Sequence, residues 1–358
     1  MIGIIFIGNI EYCPYLNKYE QILQKDSIKY EVLFWNRNAS SKKYPANYIF
    51  FNLNSRLSKS RFFKLFDFFS FRNWLVKTIK NKRYTKLILL STLSGIIIHQ
   101  LINKKYKNKY IFDIRDYSYE NIKLYKKIED KLIKSSFFTC ISSEGFKDFL
   151  PKNNSYITVH NFNNEDLKYT KEFKKKSTGN KLNLVFIGAV RYFNHQSKII
   201  DKLKNNDKFS LIYHGSGAEL HKYKEYCEKS NITNIMFTGQ YDNSEKYNLL
   251  KDADILNNSY DINKFMEVGY LISNKYYDGI IFGIPQLVEP KTYKCEKTEK
   301  NYLGTGIDIN DSRFANELYE YYFSIDEKKF NQSCNTELKT IVQEDAHYTE
   351  MIKNFTSN

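Results

Sequence analysis

Runs of consecutive apolar residues alternate along this chain with segments of helical period. Ile2–Ile7, Glu31–Trp35, Lys86–Leu90, Tyr110–Ile114 and Phe137–Ile141 read as strands, with helices at Leu16–Gln24, Gly95–Asn103 and Ile122–Lys134. Apolar residues fill consecutive positions in these strands, the pattern of a parallel sheet covered on both faces. A second series follows, with strands at Leu182–Ile187, Phe209–His214, Asn234–Phe237, Asp254–Asn257, Pro285–Val288 and, weakly, Ile307–Ile309. Helices at Lys198–Lys204, Glu219–Lys229, Ser244–Leu250, Lys275–Ile281 and Arg313–Phe323 fit between them. The alternation predicts an α/β protein of two doubly wound, Rossmann-like domains facing across a cleft. Their expected limits are 1–165 and 182–335, joined by a polar, lysine-rich linker at 166–181 and followed by a helix over 336–358 that returns to the first domain.

The most strongly punctuated stretch is Ser273–Val288, SNKYYDGIIFGIPQLV. A polar start leads into a short amphipathic helix, Gly283 and Pro285 stop it, and an apolar strand begins. Such a helix brings Asn274, Lys275 and Asp278 to where helix N-termini meet phosphate, although an ordinary helix-to-strand connection would read the same way by spacing alone.

Length and charge add to this picture. The 358 residues suffice for two domains with their own cores. Residues 1–164 hold 28 Lys and Arg against 12 Asp and Glu, whereas 165–358 hold 27 against 28, so the first half alone is cationic. That asymmetry suggests a polyanionic surface facing the first half. Residues 56–86 concentrate ten Lys and Arg with six Phe and Trp74. Interleaved basic and aromatic residues suit an anionic membrane surface, with Arg61, Lys64, Arg72, Trp74 and Lys77 as contacts; they would also suit single-stranded nucleic acid or a helix whose aromatics enter the core. The five cysteines show no CxxC pair, and no His spacing implies zinc. Without a leader or a spanning run, a cytoplasmic protein with reduced thiols is expected. Asp252-Ala253-Asp254 has the text of a metal-binding DxD, but a helix-to-strand junction should point its carboxylates apart.

Several segments in order resemble the GT-B glycosyltransferases near glycosyltransferase family 4 and the capsular polysaccharide enzymes. VFIGAVRY, LIYHGSG, FTGQYDNSEKYNLLKDADILNNSY and SNKYYDGIIFGIPQLV carry the likeness, the last being close to the family's NK-aromatic-E-A…G-x-P. The resemblance implies a GT-B fold and a donor site built from Gly188, Gly215, Gly217, Tyr241, Asn274, Tyr277 and Asp278. Arg191 and Lys275 would stabilise the departing diphosphate, and Asp278 would accept from ribose hydroxyls. Tyr270 stands where the family's first Glu is expected, and Glu267 is near but out of register. In the first domain, Asn9, Glu11, Tyr12 and Arg115 would border the acceptor and Asp116 would position it, Arg115 and Asp116 having also the reading of a structural pair.

The expected activity is sugar transfer from a nucleotide diphosphate sugar, most simply a UDP-sugar, to a lipid-linked (undecaprenyl-diphosphate) oligosaccharide in capsule, exopolysaccharide or O-antigen synthesis. Configuration would be retained, with no cofactor and no metal, at the inner face of the plasma membrane. Three rivals stay open: a nucleotide-sugar 2-epimerase on the same fold, a basic nucleic-acid-binding protein, and an inactive relative.

Overall fold

Every residue of β1 (Ile2–Phe6) is buried, so this strand has no solvent face and needs cover on both sides. The structure, a computed structural model, describes residues 1–39, 41–54, 61–117, 119–152, 154–262 and 269–357, with the backbone alone over 61–65. Two units emerge: Met1–His160 together with residues from Glu344 onward, and Asn161–Gln343.

In the first unit β1 is joined by β2 (Tyr30–Asn36), β3 (Tyr48–Asn52), β4 (Lys86–Leu90), β5 (Tyr110–Ile114), β6 (Phe138–Ile141) and β7 (Tyr156–Thr158). All pair in parallel, in the order β3-β2-β1-β4-β5-β6-β7, with Ile4 beside both Val32 and Ile88. Helices α1 (Leu16–Lys25), α2 (Arg61–Lys82), α3 (Thr92–Ile96), α4 (His99–Lys105) and α5 (Lys123–Ser135) connect them. Two strands escaped the sequence pattern. β3 is a partly exposed edge strand, and β7 is only three residues long. The single helix expected at Gly95–Asn103 is two, because Ile98, in a β-branched run, leaves helical geometry at ψ 17°.

The second unit has β8 (Leu182–Ile187), β9 (Phe209–His214), β10 (Ile235–Gly239), β11 (Ile255–Asn257), β12 (Gln286–Val288) and β13 (Gly304–Gly306) in the parallel order β10-β9-β8-β11-β12-β13. Its helices are α6 (Phe193–Leu203), α7 (Leu220–Lys229), α8 (Lys246–Leu250), α9 (Asn274–Ile281), α10 (Tyr293–Lys300) and α11 (Phe314–Ser324). The last strand is GTG, not the apolar Ile307–Ile309. A Cβ on Gly304 would sit 2.2 Å from Gln286 O, so close pairing with β12 selects glycine and erases the apolar signal. The polar α10 was also unforeseen; Thr292 caps it, its hydroxyl accepting from Cys295 N–H at 3.1 Å.

Residues 166–181, read above as a linker, belong to this unit and bury Asp166 and Phe173, the latter in its core. The final helix, α12 (Glu327–Ser357), starts nine residues before the expected Thr336. Its residues up to 343 belong to the second unit and the rest to the first, where Tyr348, Ile352 and Phe355 are buried.

Candidate functional site

After β8 the chain turns through Gly188–Tyr192 into α6, and after β9 it turns through Gly215–Gly217. The two loops are tied by Gly188 N–H to His214 O and Val190 N–H to Ser216 O, both 3.0 Å. Gly215 has φ +132°, and a Cβ there would lie 1.9 Å from Gly188 O; one on Gly217 would lie 2.3 Å from Val190 O. The close approach these glycines permit is therefore to the neighbouring loop, which fixes Gly188 and Arg191. Neither glycine lines the cavity described next, so their expected contact with a ligand gives way to this buttressing role.

α9 is closed by a Schellman motif. Gly283 takes φ +61°, and Ile284 N–H reaches Gly279 O at 2.8 Å. At its other end, Ser273 Oγ donates to Asn258 Oδ1 at 2.5 Å. Helix and loops enclose a cavity of about 350 Å³ wholly within the second unit. Gly188, Arg191, Tyr241, Asn274, Lys275 and Asp278 line it as expected positions, and Tyr192, Asn243, Lys246, Tyr260 and Lys294 join them. Tyr277 does not: only 3% exposed, it packs in the core against Phe162 and Tyr276. Glu267 lies outside the described residues.

Four cations surround this cavity, and their partners divide them. Lys246 Nζ bridges Asp166 (2.8 Å) and Asp278 (3.0 Å). Burial works against its charge, but the two carboxylates more than offset that and leave its pKa raised. Burial likewise raises Asp278, against the pull of Lys246. Lys294 pairs with Glu289 at 3.0 Å. Lys275 and Arg191 have no ion pair of this kind: among the described residues no carboxylate oxygen lies within 4 Å of either charged group. Lys275 Nζ donates to Tyr260 Oη at 2.7 Å and stands 4.2 Å from the Phe186 ring centroid. Burial brings its pKa down to about 7, with Asp278 and, more weakly, Glu289 opposing and Arg191 adding to the fall. Arg191 is exposed, its guanidinium 4.9 Å from the Tyr192 ring centroid. A cavity edged by an arginine and a lysine that both lack an ion pair is a place for an anion, which would favour the protonated lysine.

The first-unit candidates are not gathered into one pocket. Arg115 is buried and grips Asp113, not Asp116, through two bonds of 2.6 and 2.9 Å, while Tyr19 Oη adds a third to Asp113 at 2.7 Å. Asn9 Oδ1 accepts from the Arg37 and Asn38 amides at 2.7 and 3.2 Å. Both side chains are thus engaged in holding loops. Glu11 accepts from Tyr44 Oη at 3.0 Å, and Tyr12 and Asp116 are exposed. On α2, Arg72 Nε donates to Ile97 O at 3.0 Å, and Trp74 packs on Phe51 and Phe71. Those two are packing residues, whereas Lys77 is exposed; the side chains of Arg61 and Lys64 lie outside the description. Asp254 Oδ2 is taken by Lys176 Nζ (2.6 Å) and Asn183 N–H (2.7 Å), so the DxD text does not present paired carboxylates. Among the described residues no helix is long and apolar enough to cross a membrane.

No family model matches the chain, and no curated protein does. Solved structures do. Sucrose-phosphate synthase from Thermosynechococcus elongatus superposes with a TM-score of 0.71 at 10% identity, over 99% of both chains. HepE from Anabaena, in complex with UDP, gives 0.68 at 10% identity, over 99% of this chain and 100% of its own. The fold is GT-B. The lipopolysaccharide outer core galactosyltransferase WaaB agrees, with 0.62 at 13% identity over 99% of both chains. In this GT-B chain the cavity sits beyond the C-terminal ends of β8 and β11, where open parallel sheets bind ligands.

Proposed function

We propose that this protein is a glycosyltransferase that uses a nucleotide diphosphate sugar. The observation that carries the reading is the second-unit cavity with Arg191 and Lys275 at its edge, neither in an ion pair. A diphosphate supplies the missing negative charge, while Tyr241, Asn243 and Asp278 offer polar and aromatic contacts to a nucleoside. A uridine nucleotide is the first candidate, since the similar HepE was solved with UDP.

In this reading the acceptor hydroxyl oxygen bonds to the anomeric carbon on the leaving-group face. The bond from that carbon to the diphosphate oxygen breaks, and the hydroxyl proton passes to a phosphate oxygen of the departing nucleotide. Arg191 and protonated Lys275 stabilise the charge that develops there. The acceptor is a lipid-linked oligosaccharide, in keeping with a similar structure named as a lipopolysaccharide galactosyltransferase. The exposed face of α2, Phe66 and Phe69 followed by Lys77 and Lys80, would meet the anionic membrane that carries it.

Thermal-shift titration with UDP-, GDP-, CMP- and dTDP-sugars tests the reading. A true donor at 100 times its Kd stabilises the protein by about 2.7 kcal/mol. Arg191→Ala should then lower turnover by about 10²–10³-fold with the fold intact. Failure of every nucleotide to stabilise the wild-type chain would overturn the proposal.

A further inference from the structure

Residues 68–112 carry ten Lys and Arg and not one Asp or Glu, and the fold gathers four of the ten. β4 and β5 are neighbours, and Leu87 N–H bonds to Lys109 O at 3.0 Å, so the turn before β4 (83–85) lies beside the turn before β5 (106–109). Tyr106 Oη donates to Tyr84 O at 3.0 Å and ties the two turns together. Here the first unit has a cavity of about 300 Å³, at the lower end of the range for ligand pockets. Lys80, Arg83, Lys105 and Lys109 line it, with the buried Ile79, Tyr84, Leu101 and Tyr106 among its walls.

Among the described residues no carboxylate oxygen lies within 4 Å of any of the four cations. Glu31, which Tyr84 reaches, is engaged by that hydroxyl and by Lys82 at 2.8 Å. A helix C-terminus draws lysines by its partial negative charge, which accounts for Lys80 on α2 and Lys105 on α4. It does not account for the other two. Lys109 stands beyond α4, and Arg83 follows α2 with a left-handed φ of +54°, a position that glycine fills most easily. Three ammonium groups and a guanidinium fork in one concavity are the donors that a phosphate group satisfies. A nucleic-acid strand is less well served, because the rings of Tyr84 and Tyr106 are buried and offer bases no face to stack on.

We propose that this cavity binds a phosphate group, supplied by the headgroup of an anionic lipid or by a soluble phosphate ester. The site is separate from the donor cavity and does not depend on the donor reading. It is also separate from the acceptor candidates. Asn9 and Arg115 follow the C-terminal ends of β1 and β5, whereas the cavity lies at the start of β5, about 15 Å of strand away. Lys80 belongs both to the cavity and to the exposed face of α2, so a lipid headgroup held here would extend the membrane contact proposed for that helix.

Calorimetry of the full chain with inorganic phosphate and glycerol 3-phosphate, and sedimentation with phosphatidylcholine vesicles with and without phosphatidate, test this. Wild-type protein should bind the soluble phosphates, or the phosphatidate vesicles above the plain ones, and the arm that responds names the source. Changing Arg83, Lys105 and Lys109 together to Gln should weaken that binding about 10-fold or more, the scale of one charged hydrogen bond. Changing Lys123, Lys127 and Lys152 to Gln removes the same charge from exposed positions of the unit outside the cavity and should weaken it far less. Arg83→Gly, which relieves the left-handed backbone, should also weaken binding and decides the matter should the triple variant not fold. Equal losses in the two triple variants would reduce the effect to net charge, and binding that the Arg83 set leaves unchanged would place the phosphate elsewhere. Either result would overturn the inference, as would failure of both probes, with or without binding of an oligothymidylate instead. Nucleotide titrations test the donor cavity, whose standing none of these outcomes alters.

Discussion

Lys275 carries the sharpest consequence at the scale of one residue. Its folded pKa of about 7 lies below the ordinary lysine range, so between the two the unfolded chain holds a proton that the folded chain has released. Its contribution to stability therefore rises with pH across that window, and below it the buried charge is a cost. An anion in the cavity reverses the balance by favouring the ammonium. Nucleotide binding near pH 7–8 should then take up protons and weaken as pH rises, measurable by calorimetry in buffers of different ionisation enthalpy. Lys275→Met should abolish the uptake; uptake that persists would assign it to another group. Lys275 was legible in the sequence because SNKYYDG placed it at a helix start. Lys246 was not: its role depends on Asp166 and Asp278, which only folding brings to its two sides. Arg115 misled for the same reason, its real partner being the buried Asp113 and not the adjacent Asp116.

At the scale of elements, strands buried on both faces were legible because consecutive apolar residues leave few alternatives. β3 and β13 were hidden, one by an exposed edge and the other by glycines that pairing itself demands. The loops after β8 and β9 belong to the same category of tight contact. Gly215→Ala combines a left-handed backbone with a Cβ 1.9 Å from Gly188 O. It should cost roughly 2–3 kcal/mol, the upper part of the usual range for one substitution, read as a lowered urea midpoint at unchanged slope. Gly239→Ala, whose Cβ meets nothing within 4 Å, should cost less despite its φ of +83°. Equal losses at the two sites would mean that backbone strain, not the loop contact, sets the cost.

For the molecule as a whole, the cationic first half was read as a membrane-facing surface, and α2 now divides that reading residue by residue. Phe71, Leu75 and Ile79 are buried, while Phe66, Phe69, Asn73, Lys77 and Lys80 share the exposed face. Replacing Phe66 and Phe69 by Ser and Lys77 and Lys80 by Gln should reduce sedimentation with anionic vesicles, with each lysine contributing about 1 kcal/mol near such a surface. Arg72→Gln should instead lower thermal stability, because it removes the bond to Ile97 O. Undiminished vesicle binding by the fourfold variant would remove α2 from the membrane contact.

The shared helix α12 has a consequence for how the protein is made. The second unit is a continuous stretch, 161–343, and can close as soon as that stretch has been synthesised. The first unit cannot, because its core includes Tyr348, Ile352 and Phe355, which leave the ribosome after the whole of the second unit. Its sheet must wait with the part covered by α12 still open through the synthesis of its neighbour, an interval in which exposed apolar surface invites aggregation. A fragment ending at His160 should accumulate as insoluble protein, whereas 161–343 should remain soluble with a cooperative melt by circular dichroism. A stop codon just before Glu344 would therefore wound a unit most of which was translated before its undamaged neighbour.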